Sequence, residues 1–256
     1  KVFAASGIPF YVVPGTSSWN SFAGRTDNAL ANLRNAAENG LANGAIGYLI
    51  TDWGDGGHWQ FLPTSYLGFA YGLAVSWAMD TNRNLPITTA LDVHAFEDRA
   101  GVMGKLAYDL GNAYKVCGFM PGNSTVFYMI LTRSIKRDLD RSITQEGLQK
   151  TIAYIEAVMA RLPNARMARA DADVVKREFE MTAALMKFAC RLGIARIESN
   201  YGPIDRIPPE KRHALADELE SRIPEFRQLW LERNRSGGLK DSAGRFENLV
   251  ASLRNP

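Results

Sequence analysis

The sequence predicts an α/β segment followed by an all-α region, helix-dominated overall, on three observations. Two short apolar runs, Ile8 to Val13 and Ala45 to Ile50, each close on turn residues and each lead into a helical pattern. After about Pro86 the strand signals fade. From there on apolar residues recur at helical spacing, with no internal repeat or low-complexity linker between the helices.

The first run, IPFYVV, is β-branched and aromatic and stops at Pro14-Gly15, as a buried strand does. Arg25 to Asn39 follows with Leu30, Leu33 and Ala37 on one helical face and Gly40 as the expected stop. The second strand is Ala45 to Ile50, and Tyr66 to Met79 reads as a second, apolar helix with Trp77 in the core. Continuous apolar strands alternating with helices indicate parallel βα units, as in a barrel or a doubly wound sheet. Two strands with an open edge are not stable alone. They are expected to pack on the helical region, on another copy or on a further segment of chain.

Helices fill the remainder. Thr144 to Leu162 aligns Leu148, Ile152, Ile155, Met159 and Leu162, with Ser142 and Gln145 at capping-box spacing. Asp171 to Leu192 buries Val175, Phe179, Met186 and Ala189, with Gly193 as its expected stop. Pro208-Pro209 opens the next helix at the position where proline is tolerated, Pro224 kinks or divides it, and Ser242 to Leu253 turns Phe246, Leu249, Val250 and Leu253 inward.

Composition narrows the function. A net charge of +3, without basic runs interleaved with aromatics, gives no reason to expect a nucleic-acid partner. The longest apolar run is too short for a membrane span, and Cys117 and Cys190 lie far apart in helical patterns as buried thiols, so a soluble cytoplasmic protein is expected. His58, His94 and His213 lack metal-ligand spacing, and no nucleotide or dinucleotide loop and no nucleophile elbow is present, so neither metal nor cofactor is expected. The chemistry concentrates where the strands end, in PGTSSWNSFAGR and TDWGDGGHWQFLP. Indoles beside acids and amides suit a sugar, whose C–H face stacks on an aromatic while its hydroxyls bond to carboxylates. Glycines 54, 56 and 57 let a tight loop carry Trp53 and Asp55 on one side. Asp52 is read as satisfying backbone donors at the strand end, His58 as a loop hydrogen-bonder and Trp59 as packing.

Three stretches together, GTSSWNSFAGR, GAIGYLITDWGDGGHWQFLPTSYLGFAYGLAVSW and LWLERNRSGGLKDS, resemble the bacterial branch of the family 20 glycoside hydrolases, the β-N-acetylhexosaminidases. The resemblance implies that residues 1–90 are the last two βα units of a (β/α)8 (TIM) barrel and residues 91–256 a helical C-terminal domain. It implies a glycan bearing a terminal N-acetylhexosamine as partner, with Trp53 as an aromatic wall, Asp55 accepting from outer hydroxyls, and Trp19 and Asn20 lining the same subsite. Trp19 and Asn20 depart from the tyrosine-and-aspartate pattern common elsewhere in the family. Family 20 hydrolysis is substrate-assisted, with an Asp-Glu pair orienting the acetamido group and serving as acid, then base.

The Asp-Glu dipeptide of this chain, Asp217-Glu218, falls mid-helix, where adjacent side chains diverge by about 100°. No catalytic residue is therefore assigned here. The pair is expected on a barrel segment upstream, which would also be this chain's structural partner. Arg233, in the RNRSGG stretch, is a further candidate for the pocket rim, and the helical domain is expected to cover the barrel and support a homodimer. The alternative is a non-catalytic carbohydrate-binding or assembly module derived from such an enzyme; a third reading is a helical interaction domain that binds no sugar.

Overall fold

The computed structural model describes residues 1–132 and 135–256. A short helix α1 (Val2–Ser6) precedes β1 (Tyr11–Val12), α2 (Thr26–Ala42) and β2 (Gly47–Tyr48). Then come α3 (Tyr66–Trp77), α4 (Met79–Asn82), α5 (Ile87–His94), α6 (Met103–Leu110) and α7 (Val126–Thr132). The chain finishes with α8 (Gln145–Met159), α9 (Ala172–Glu198), α10 (Pro209–Glu220), α11 (Ile223–Arg233) and α12 (Leu239–Arg254). Helix dominates.

The two strands pair in parallel, Tyr11 opposite Gly47 and Val12 opposite Tyr48, and a bridge from Gly15 to Thr51 extends the contact toward their carboxyl ends. Both are shorter than the apolar runs that announced them. Their burial is also one-sided. Val12 meets Gly40 of α2, Ile50 meets Gly72 of α3, and the Tyr48 hydroxyl donates to the Leu33 carbonyl. Tyr11, Val13 and Leu49 alternate onto the opposite face and are each more than half exposed, at 57%, 55% and 52%. Strand side chains alternate between faces, so the helices cover one set only, and a run apolar on both faces is left with one face bare.

Several helix ends fall elsewhere than local signals suggest. Gly40 is inside α2, where a side chain would press on Val12, and the turn is made by Gly44 at φ 71°. Gly193 lies within α9, which runs on to Glu198 because Leu148 and Ile130 pack against the bare Cα of residue 193. The cap of α8 is Thr144, whose hydroxyl accepts from the Gly147 amide, while Ser142 bonds to Asp140. Trp77 is 90% exposed, not core. It stands two residues beyond Val75 in the inward stripe Leu67, Tyr71, Val75, and two residues on a helix is a rotation of about 200°. Pro209 and Pro224 both sit in first turns, so Pro224 divides α10 from α11.

A single hydrophobic core runs from Phe22 and Leu33 through Leu91 and Phe127 to Phe246 and Leu253, so the βα portion packs on the helical portion. The expected boundary between residues 90 and 91 lies inside α5. Helix α2 is tied across as well: Asp27 accepts from Asn112, Tyr108 and Lys115, and the Thr26 amide donates to the Gly111 carbonyl. Asp98 gathers the backbone amides of Ala100, Val102, Met103 and Arg166, fixing the start of α6 against the segment ahead of α9. Cys117 and Cys190 are buried and unpaired. Among the described residues no helix is long and apolar enough to cross a membrane.

The crossing of α5 and α6 allows a direct test of packing. A Cβ on Gly104 would lie 1.9 Å from the Thr88 carbonyl oxygen. Gly104→Ala is therefore expected to destabilise the fold by about 1–3 kcal/mol in urea unfolding, despite alanine's better helix propensity. Equal or greater stability would show that the two helices separate freely.

Candidate functional site

The carboxyl ends of β1 and β2 bring both sequence-predicted tryptophans together. A Cβ on Gly15 would fall 2.6 Å from the Trp19 ring and 3.1 Å from the Thr51 hydroxyl, so the indole rests on a backbone that only glycine leaves open. Thr51 donates to the Pro14 carbonyl and accepts from the Trp53 indole N–H at 2.9 Å. Trp19 and Trp53 thus flank one bridge between the strands. Trp53 is 56% exposed, an unusual state for an indole whose polar edge is already satisfied.

Asp55 stands at the tip of the second loop, exposed, with no hydrogen-bond or ion-pair partner among the described residues. The loop beneath it is not free to move. Gly56 and Gly57 take φ values of 64° and 91°, and a Cβ on Gly57 would lie 2.8 Å from the Asp241 carbonyl of α12. The Gly56 carbonyl accepts from the Tyr128 hydroxyl of α7 at 3.5 Å, the His58 backbone amide donates to the Ser242 hydroxyl, and the Gln60 side-chain amide donates back to the Trp53 carbonyl. Beside the tip a groove of about 760 Å³ runs between Gly56-Gly57 and the Lys240 to Asn248 face of α12.

Asp52 faces inward and is held by the hydroxyls of Thr16 and Ser65, not by the backbone donors expected of it. With Ser18 they form a buried polar knot that links both strand ends to the start of α3. His58 lies under Gly54, and burial pulls its pKa below the ordinary 6.5, although the Asp52 carboxylate and a Gln60 backbone bond both favour its charged form. It is therefore neutral at about pH 7. Trp59 is packing, as read: 2% exposed, with its N–H on the Ser242 carbonyl.

Asn20 is buried and sits at φ 52°, its side-chain amide donating to the Asn123 carbonyl. Asn123, in the loop ahead of α7, also accepts from Trp19 and from Arg25. Sequence reading missed Asn123 and Ser242, because their partners stand 103 and 184 residues away.

Arg233 is elsewhere. At the end of α11 its guanidinium makes two bonds to Glu178 and one to Asp171, so its donors face the helical core instead of a pocket rim. The Glu178 carboxylate holds Arg233 above the usual arginine range, while burial pushes Glu178 itself up. The bidentate geometry is that of a charged pair. Asp217 and Glu218 diverge on α10 as expected, toward Arg254 and Arg191. A second cleft of about 230 Å³ lies at the amino ends of the strands, lined by Leu41, Ile46, Ser76 and Trp77 among others. No charged side chain among the described residues lines it. Among the described residues no cluster of three or more His, Cys, Asp or Glu could hold a metal ion.

Comparison with protein-family models and with curated protein sequences returned no match.

Removing the guanidinium in Arg233→Met leaves Glu178 buried without its cation, and a loss of about 3–5 kcal/mol is expected in urea unfolding. A loss below about 1 kcal/mol would show Glu178 to be solvated or neutral instead. His58 sets a pH dependence. Below 6.5 the unfolded chain takes up this proton while the folded chain does not until lower pH, so stability falls as pH drops through that window. His58→Gln is expected to flatten the stability profile between about pH 7 and about pH 5, and a slope identical to the parent's would contradict the assignment.

Proposed function

We propose that this chain is the C-terminal part of a β-N-acetylhexosaminidase of the family 20 type and supplies one wall of its sugar subsite. The observation that carries the reading is the strand-end pair: Trp53, half exposed, beside Trp19, with the unpartnered Asp55 carboxylate on the glycine-held tip. An indole face with a free acceptor beside it matches the C–H face and hydroxyl rim of an N-acetylhexosamine.

The bare side of the two-stranded sheet supports the larger architecture. Tyr11, Val13 and Leu49 point away from α2 and α3, the direction that faces the interior when parallel βα units close into a (β/α)8 barrel. Further βα units would cover them and bring the acid/base carboxylates. In that division of labour the upstream segment supplies the Asp-Glu pair, which orients the acetamido oxygen for attack on its own anomeric carbon and protonates the leaving oxygen. This chain's residues hold the ring: Trp53 excludes water from one face and Asp55 accepts hydroxyl hydrogen bonds. Arg233 is left out, since its donors are taken by Glu178 and Asp171.

One observation speaks against hydrolysis by this chain's residues alone, and so leaves room for the non-catalytic module. Asp52 is tied to Thr16 and Ser65, leaving Asp55 as the strand-end carboxylate without a partner. Retaining hydrolysis needs two carboxyl groups about 5 Å apart, or one with the substrate's acetamido group.

Turnover of a chromogenic β-N-acetylhexosaminide by the natural gene product, beside the 256-residue chain alone, separates the readings. The gene product is expected to cleave the substrate and the isolated chain to be silent. Trp53→Ala and Asp55→Ala in the gene product are each expected to lower kcat/KM by at least about tenfold, the size of one hydrogen bond to a charged group or one aromatic contact. Cleavage by the chain alone would overturn the placement of the acid/base pair, and binding without cleavage by the gene product would establish the non-catalytic module.

A further inference from the structure

The loop ahead of α7 reaches across the molecule to the first strand-end loop, and its contacts are too specific for simple coverage. The Asn123 side-chain oxygen accepts from the Trp19 indole N–H at 2.8 Å and from an Arg25 guanidinium nitrogen at 3.2 Å. Its backbone oxygen accepts from the Asn20 side chain at 3.2 Å. The next residues complete the grip, the Thr125 amide donating to the Asn20 carbonyl at 3.1 Å. We propose that Asn123 is a positioning residue of the sugar subsite, fixing the Trp19 indole and the Asn20 backbone in the orientation that an N-acetylhexosamine meets.

Two features set this contact apart from ordinary packing. Asn20 stands at φ 52°, a left-handed conformation that asparagine tolerates but does not prefer, so the loop shape depends on what holds it. Arg25 is 5% exposed and, among the described residues, bonds only to neutral oxygens, those of Gly122 and Asn123, with its Nε left without a partner there. Its guanidinium lies 5.3 Å from the Trp19 ring centroid. A buried cation without a carboxylate is costly, and an apolar side chain would fill the same space more stably. What Arg25 and Asn123 achieve together is a fixed indole: one ring face is engaged by a cation, the N–H is anchored, and the remaining surface is presented without rotamer freedom to lose on binding. The second tryptophan needs no such clamp, since Thr51 on its own strand holds it.

The inference rests on the sugar-subsite reading, and the experiment separates the two. The Trp19 indole N–H is followed by NMR in the 256-residue chain with isotope-labelled tryptophan, identified through Trp19→Phe. The Trp59 N–H, bonded to the Ser242 carbonyl, is the internal control. Asn123→Ala is expected to shift the Trp19 signal and speed its solvent exchange by at least about tenfold, leaving Trp59 unchanged, whereas Asn123→Asp keeps both acceptor roles and so the slow exchange, though the added charge moves the signal itself. In the gene product Asn123→Ala is expected to raise KM about three- to tenfold with kcat within about twofold, and Asn123→Asp to restore KM, since one neutral hydrogen bond is at stake.

A Trp19 signal indifferent to Asn123→Ala overturns the clamp. A shifted signal with wild-type KM leaves a structural contact and overturns the positioning role. A wild-type gene product that neither binds nor cleaves an N-acetylhexosaminide overturns the sugar reading and this inference with it. Should Asn123→Ala fail to fold, with the Trp59 signal lost too, Asn123→Ser, too short to reach the indole, takes its place under the same outcomes.

Discussion

The stack around Trp59 is the contact on which the rest of this structure depends. Its ring lies between Phe22, at 5.3 Å, and Phe246, at 4.4 Å, both nearly parallel, with Tyr128 tilted against it at 5.3 Å. Phe22 belongs to the first strand-end loop, Trp59 to the second, Tyr128 to α7 and Phe246 to α12. Four segments distant in sequence therefore meet on one buried indole. Aromatic stacking fixes angle as well as distance, so the loops cannot slide over the helices without breaking it. The indole N–H on the Ser242 carbonyl adds direction.

From that stack outward, the helical region determines what the strand ends look like. Ser242 takes the His58 amide, Tyr128 reaches Gly56, and Asn123 takes Trp19 and Asn20. The glycines of the second loop serve this contact as well as the tip, since a side chain at Gly57 would strike the backbone of α12. The charged groups of the helical region follow a different logic. Arg233, Glu178, Asp171 and Arg169 form a chain of ion pairs that ends on the Tyr66 hydroxyl at the start of α3. Those cations join helices, and the strand ends are left with uncharged donors and the Asp55 carboxylate.

The apolar surface divides in the same way. Core positions of α8, α9 and α12 are closed, whereas Tyr11, Val13, Leu49, Ile46 and Trp77 are open around the strands. A sheet of two strands has one face and two edges more than its own helices can cover. Tyr11, Val13 and Leu49 follow the alternation of strand residues, which is the signature of a face, whereas Ile46 and Trp77 border the cleft at the strands' amino ends.

The sequence by itself determined the order of strands and helices, the helix dominance and the strand-end location of the polar aromatic loops. These are local properties: apolar spacing sets the period, proline opens α10 and α11, and glycine permits the tip at Gly56 and Gly57. It misread Gly40 and Gly193 as stops because a helix ends where packing and capping fail, and Val12 and Leu148 pack against those glycines from elsewhere in the chain. It placed Trp77 in the core because hydrophobicity says nothing of which side of a helix has a neighbour. The strand-end placement of Trp19, Asn20, Trp53 and Asp55 was legible, since each lies just beyond an apolar strand run. Arg233 was not, because its fate rests on Glu178 and Asp171 of another element. Only the tertiary structure decided that Asn123 and Ser242 shape the site, since hydrogen bonds across more than a hundred residues leave no periodicity or spacing to read.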